Sequence, residues 1–352
     1  MLDVSPVIFR RTALTGELPL PEHGGDVKLL RELLNVNNET WTLILGWLIA
    51  ALLPGIPHPV LMLGGQQGAG KSTTARVLGN VIDPSPAPLR SQPSEIESWA
   101  MAAAGSWSVA VDNISVISGW WSDALCRAVT GDGWIRRKLY TDSDLAVLAF
   151  RRVVLLTSID AGALRGDLGD RLLLADLEPI AAERRRSEAE LDRALAASRP
   201  RILGALLTEL SAVLRTLPHI KMVSLPRMAD FGRVLAALDK LHGTNALDAY
   251  LAQRGRVVED VLEADPIAEA ARSLEGWEGT AGELLKRITP DGIRPQGWPG
   301  NPRALVARLK RLVPALRQVG TVIIFHGERT NRGRLIEVAR RQSQQSQQSF
   351  SE

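Results

Sequence analysis

Residues 58–79 read HPVLMLGGQQGAGKSTTARVLG. An apolar run from Pro59 to Leu63 enters a glycine-rich turn, and a helix-compatible stretch from Lys71 to about Val81 leaves it. Within it, Gly65 to Thr73 fits the spacing G-x-x-x-x-G-K-[ST]. Small residues let successive backbone N–H groups turn inward around phosphate oxygens. The helix that follows adds the partial positive charge of its N-terminus. On this reading Gly65, Gln66, Gln67, Gly68, Ala69, Gly70, Lys71, Ser72 and Thr73 wrap the phosphates of ATP. Lys71 reaches the β- and γ-phosphates and Ser72 ligates Mg²⁺.

Such a loop needs a second metal-side carboxylate at the end of a neighbouring strand. Asp112, closing the apolar run WSVAVD, is the candidate. Asn113 follows it; an amide can orient a water but cannot take its proton, so Asp123 or Asp132 stands as an alternative acid. Further along, Val153 to Thr157 and Leu172 to Leu177 read as buried strands. Ser94 with Glu97 forms a capping-box pattern for a helix ending near Ala104, and Asn37 or Asn38 suits the cap of a helix from Glu39 to Leu53. Trp134 to Leu139 and Leu145 to Phe150 flank the polar turn YTDSD as a hairpin. Apolar strands alternating with helices predict an α/β fold with a mostly parallel sheet covered on both faces.

After Pro179 the pattern is helical: Ala181–Ala197, Arg201–Leu217, Met228–Leu241 and, with breaks, Ala246–Leu274. Gly276 to Gly279 reads as a linker. Two helices (Thr280–Ile288 and Pro302–Leu312) and a strand pair (Thr321–Phe325 and Arg334–Val338) follow. The Gln/Ser repeat from Gln342 to Ser349 has nothing to bury and is expected to be disordered.

The 352 residues suit two or three domains. A single cysteine, Cys126, rules out an internal disulfide framework and fits a cytoplasmic setting. No Cys/His group has zinc spacing, the N-terminus lacks a secretory pattern, and the apolar stretch Trp41 to Leu53 is too short to cross a membrane. Net charge is +3 but unevenly placed: from Ala281 onward thirteen basic residues face five acidic ones, net +8, leaving −5 for the rest. A basic end on an acidic body predicts a polyanionic partner.

The segments GQQGAGKST, SVAVDN, GWIRRKLYTDSD, VVLLTS, GDRLLLADL and PRMADFGRVL together resemble an AAA+ ATPase across roughly residues 38–260. Within that group they are most similar to the ATPase half of phage, plasmid and integrative-element replication proteins, close to the superfamily 3 helicases. The resemblance implies that Thr157 contacts the γ-phosphate or its water. It implies that Arg171, with Arg165 second, reaches into a neighbouring subunit's ATP site to stabilise transferring phosphoryl charge. It gives Arg227 the role of a nucleotide-sensing lid arginine, or else of an ion pair with Asp230. It also implies that the hairpin lines the pore of a ring, with Arg136, Arg137 and Lys138 on its flank gripping DNA. Asp142 and Asp144 at the tip would repel it.

The C-terminal part resembles a winged helix, with Arg303, Arg308 and Arg311 on its recognition helix and Arg329, Arg332 and Arg334 on its wing. The expected layout is an N-terminal extension over 1–37, an AAA+ P-loop core over 38–179 and a helical lid over 180–275. A winged-helix DNA-binding domain over 276–340 and a tail over 341–352 complete it. The expected function is a DNA helicase or translocase of a phage or mobile element. It would use ATP and Mg²⁺, form a homo-oligomer expected as a hexamer, act on single-stranded or forked DNA, and work with a separate primase or initiator. A loader that binds DNA without unwinding it, and a DNA-binding regulator with a weak ATPase, are the alternatives.

Overall fold

The structure, a computed structural model, describes residues 11–137, 145–158 and 166–340 apart from single positions 223, 264, 275, 296 and 332. In chain order the elements are α1 (Lys28–Arg31), α2 (Asn38–Ala51), β1 (Val60–Gly64), α3 (Lys71–Ile82), α4 (Ile96–Ala104), β2 (Ser108–Ile114) and α5 (Gly119–Thr130). Next come β3 (Asp132–Arg137), β4 (Leu145–Phe150), β5 (Val153–Ser158), α6 (Gly166–Gly169), β6 (Leu172–Asp176), α7 (Glu188–Thr216) and α8 (Ala229–His242). The last are α9 (Ala246–Glu263), α10 (Pro266–Arg272), β7 (Trp277–Thr280), α11 (Ala281–Ile288), α12 (Pro302–Gln318), β8 (Thr321–Thr330) and β9 (Gly333–Arg340).

Among the described residues the chain divides into two compact units: one of 11–158 and 170–253, the other of 166–169, which is α6, and of residues from Arg254 onward, so that one boundary falls inside α9. The first unit holds a four-stranded parallel sheet in the order β2-β5-β1-β6. β1 and β5 lack polar alternation because helices cover both faces, and β5 is buried throughout. The helix α2 is apolar all round for the same reason: Leu43, Ile44, Trp47, Leu48 and Ile49 are fully buried. Asn37 caps it by accepting from the Thr40 N–H at 2.9 Å. No helix among the described residues is long and apolar enough to cross a membrane. β3 and β4 pair as an antiparallel hairpin outside the main sheet.

The second unit packs α10, α11 and α12 on a three-stranded antiparallel sheet in the order β7-β9-β8. Helix caps define its boundaries. Thr280 and Glu283 form a capping box for α11, Asn301 caps α12 and Asp265 caps α10.

Several sequence expectations change. Ser94 and Glu97 form no capping box; Glu95 is the N-cap of α4 and makes no side-chain cap. The two helices expected on either side of Pro200 are one helix, α7. A mid-helix proline costs roughly 3 kcal/mol. Here burial of Leu195, Ile202, Leu203 and Leu206 on both sides of the proline offsets it. Likewise α12 runs through Pro314, because Ala315 and Leu316 continue its buried stripe. The supposed linker over Gly276–Gly279 is β7, which pairs with β9. Finally, the stretch expected as a helical lid over 180–275 is divided between the two units. Val258, Leu262, Ile267, Ala268 and Ala271 share a core with Leu305, Leu309 and Val338, so they belong to the second unit. The expected disordered tail lies outside the described residues.

Candidate functional site

β1 delivers the chain into the glycine-rich loop, and α3 carries it away. Gly65 adopts φ 130°, and a Cβ there would stand 2.4 Å from the Leu177 carbonyl oxygen, so only glycine fits. Gly70, the N-cap of α3, adopts φ 83°. The Lys71 ammonium donates to the carbonyls of Gly65 at 2.7 Å and Gln66 at 2.9 Å, closing the loop on itself. With the first-turn N–H groups of α3, this builds a concave surface suited to phosphate.

Ser72 donates through Oγ to Asp112 Oδ1 at 2.8 Å. β2 and β1 are separated by β5 in the sheet, so two strands bring these residues from forty positions apart to one point. A hydroxyl and a carboxylate converging there supply hard oxygens, the donor set Mg²⁺ takes alongside nucleotide phosphates and water. The residues present therefore fit that ion. Among the described residues, no group of three or more His, Cys, Asp or Glu side chains gathers elsewhere to hold a metal.

The register of β2 against β5 slips between Val111 and Ile114. Asn113 sits in this bulge at φ 58°, in the left-handed region that asparagine tolerates better than most residues, with its side chain exposed. Its N–H donates to Thr157 Oγ1 at 2.8 Å, and that hydroxyl donates in turn to Asp112 Oδ1. Thr157 is 1% exposed. Its hydroxyl is thus engaged by Asn113 and Asp112 inside the protein. Of the alternative acids, Asp123 is exposed on α5 and makes none of these bonds. Asp132 lies at the start of β3.

Beside the loop lies a cavity of about 460 Å³, lined in part by Leu33, Asn35, Gly70, Thr73, Ile180 and Arg184. Asn35 donates its amide to the carbonyls of Glu178 and, at 3.5 Å, of Ala69, tying the N-terminal segment to the loop. Arg76 of α3 pairs with Glu188 at 3.0 Å and with Asp192, joining the loop helix to α7. Of these residues sequence reasoning found Gly70 and Thr73; it did not find Leu33, Asn35, Arg76, Ile180 or Arg184, because their partners lie far away in the chain and no motif marks them.

Arg227 pairs with Asp170 at 3.2 Å rather than with Asp230. Arg171, the neighbour of that aspartate, is half-buried, and its carbonyl accepts from the Val60 N–H at 2.9 Å. Arg165 lies outside the described residues.

The expected nucleic-acid residues separate into distinct groups. At about 100° per residue, Arg303 and Arg311 lie on the face of α12 opposite the buried Leu305, Leu309, Leu312 and Leu316, and both are exposed. Lys310, and Arg317, which the sequence reading did not place on this helix, share that face, and α12 contains no acidic residue. Arg308 does not belong there. Its guanidinium donates to Asp265 at 3.2 and 3.1 Å and to the Gly297 carbonyl at 2.8 Å, which braces it inside the unit. Arg334 is exposed on β9, and Arg329 pairs with it in register across the turn. In the hairpin, Arg136 stands opposite Ala146 and Arg137 opposite Leu145. Lys138, Asp142, Asp144 and Arg332 lie outside the described residues.

Two family profiles match the chain. That described as "Actinomycete integrative conjugative element replication protein" matches residues 27–260, and that described as "AICE RepA C-terminal domain" matches residues 264–349. The gap between them falls close to the division between the two compact units. No curated protein sequence matches. Solved structures of the NrS-1 C-terminal region are similar at 13% identity, covering 95% of this chain and 80% of that one with a TM-score of 0.40. A second structure of that region, its residues 305–718, gives 13%, 95%, 79% and 0.38. A JCV helicase with a bound small molecule is similar at 15% identity, covering 63% of this chain and 66% of that one with a TM-score of 0.27. Likenesses this loose carry no argument.

Proposed function

The chain belongs to the replication proteins of actinomycete integrative conjugative elements, and from that premise we propose that it is a Mg²⁺-dependent ATPase acting on DNA as a ring-forming helicase or translocase. The observation that carries the nucleotide half is the meeting of Ser72 and Asp112, 2.8 Å apart, at the mouth of a loop closed by Lys71. The triphosphate lies on the N–H groups of Gly68 to Thr73. Lys71 turns from its two carbonyls to the β- and γ-phosphates, while Ser72 and Asp112 hold Mg²⁺. The ion neutralises charge on the phosphate oxygens when bound. The base and ribose take the cavity beside Asn35 and Ile180.

Asn113 orients the attacking water from its exposed position. Arg171 serves the site of the neighbouring subunit in a ring, expected as a hexamer. Arg227 exchanges Asp170 for the nucleotide when α7 and α8 close as a lid. The order α10-β7-α11-α12-β8-β9 supports reading the second unit as a winged helix, with α12 as recognition helix and the β8–β9 turn as wing. Arg303, Lys310, Arg311, Arg317 and Arg334 then meet phosphate oxygens. The hairpin flank supplies the grip that moves DNA, and a separate primase or initiator supplies priming.

A second reading has a specific observation in its favour. Asn113 stands where a proton-accepting acid would speed hydrolysis, which suits a slow switch that loads or regulates rather than unwinds. Strand displacement on a forked duplex separates the two. ATP-dependent release of the displaced strand is the expected result. Binding and hydrolysis without any displacement would replace the helicase with the switch.

A further inference from the structure

We infer that Thr157 is a positioning residue that aims Asp112 at the Mg²⁺ of a bound nucleotide. The inference rests on the proposed reading of the loop as an ATP site.

β5 lies between β1 and β2, and Thr157 stands opposite Leu63, one residue before the sheet gives way to the glycine loop. From there its hydroxyl reaches the far strand. It accepts the Asn113 N–H at 2.8 Å, which leaves its own proton directed at Asp112 Oδ1. The same oxygen accepts from Ser72 at 2.8 Å. One carboxylate is therefore held from two sides by hydroxyls, Ser72 from the loop helix and Thr157 from the sheet. The residue is 1% exposed, so neither phosphate nor solvent competes for the hydroxyl.

The second bond has its own consequence. Asn113 holds φ 58° within a β-bulge, a backbone state that most residues avoid. Its N–H finds its partner in the Thr157 oxygen rather than in the ladder. The hydroxyl thus fixes both the metal-side carboxylate and the turn that presents Asn113. Partners of metal ligands act by orienting them, and losing one costs about 10–100-fold in metal affinity or activity.

Thr157→Val keeps the branched shape and strand preference but removes both bonds; Thr157→Ser keeps them. Equilibrium binding of a fluorescent ATP analogue, titrated with Mg²⁺ and repeated in EDTA, reads the effect without turnover. Thr157→Val is expected to raise the Mg²⁺ concentration at half-effect by about 10–100-fold. Binding in EDTA should be unchanged, and Thr157→Ser should follow the wild type. Asp112→Asn should share the defect. The double variant Asp112→Asn/Thr157→Val should be no worse than Asp112→Asn alone, because Thr157 acts through that carboxylate. Should Thr157→Val unfold the chain, Thr157→Ala provides the same titration with less steric demand. An unchanged Mg²⁺ midpoint with a lost preference for ATP over ADP would overturn the inference and return Thr157 to the γ-phosphate. Failure of the ATP reading itself looks different: the wild type would not bind the analogue at all.

Discussion

Arg303 and Arg311 are exposed on α12, whereas Arg308, on the same helix, is bound to Asp265 and the Gly297 carbonyl. Three arginines on one helix therefore make opposite predictions. Each phosphate neutralised on duplex DNA contributes about −0.9 to the slope of log affinity against log salt. If Arg303 and Arg311 each hold one phosphate, the double alanine variant flattens that slope by about 1.8. It weakens all sequences alike, because phosphate contacts carry no base information. Its thermal stability stays near the wild type, since both side chains lie in solvent. Arg308→Ala does the reverse. The slope is unchanged, but the unit melts earlier, because Asp265 loses two charge-assisted bonds at the cap of α10. Fluorescence anisotropy of a labelled duplex between about 50 and 200 mM salt reads the slope, and thermal unfolding of the same samples reads stability. If Arg308→Ala flattened the slope while the double variant left it untouched, the assignment of the α12 faces would be wrong.

Three other outcomes follow from particular contacts. Burial lowers the pKa of His58 to about 4 from 6.5, although its hydrogen bonds to Leu53 and Ala50 oppose the shift. The unfolded chain therefore takes up the proton first, and stability falls as pH drops from about 6.5 to about 4, by about 3 kcal/mol. Urea unfolding across that range should show it, and His58→Gln should remove that share of the pH dependence; a variant curve parallel to the wild type would contradict it. Arg171→Ala should bind ATP yet fail to hydrolyse it, and mixing it with Lys71→Ala should restore part of the turnover through interfaces pairing an intact loop with an intact arginine. Mixed oligomers that form without rescue would count against a role across subunits. Removing residues 254–352 should leave a folded ATPase that binds DNA weakly. Cutting instead at 276 should expose Val258, Leu262, Ile267 and Ala268 and give aggregation; equal solubility of the two products by gel filtration would refute the boundary.

The central sheet was legible because its strands are short apolar runs next to a motif, and the loop because its glycines and lysine have fixed spacing. Local caps such as Asn37 also read correctly. Several misses share one physical cause, dependence on partners distant in the chain, whereas the Ser94–Glu97 capping pattern failed locally. Nothing around WEGT marks a strand until Val338 pairs with Trp277. Pro200 reads as a break until Leu195, Ile202 and Leu206 pack into the core formed with distant helices. Arg227 had a plausible local partner in Asp230, yet Asp170 holds it from 57 residues away. Arg308 looked like its neighbours Lys310 and Arg311 until Asp265 and Gly297 claimed it. Thr157 was placed on the correct strand end, but the direction of its hydroxyl depends on the bulge at Asn113, which the sequence does not advertise.

The central claim is that the loop at Gly65–Thr73 binds and hydrolyses ATP with Mg²⁺. Phosphate release by the purified full chain, with and without single-stranded DNA, compared with Lys71→Ala, tests it most directly. Turnover that needs Mg²⁺, rises with DNA and vanishes in Lys71→Ala is the expected result. Equal turnover in wild type and variant would show that the site lies elsewhere.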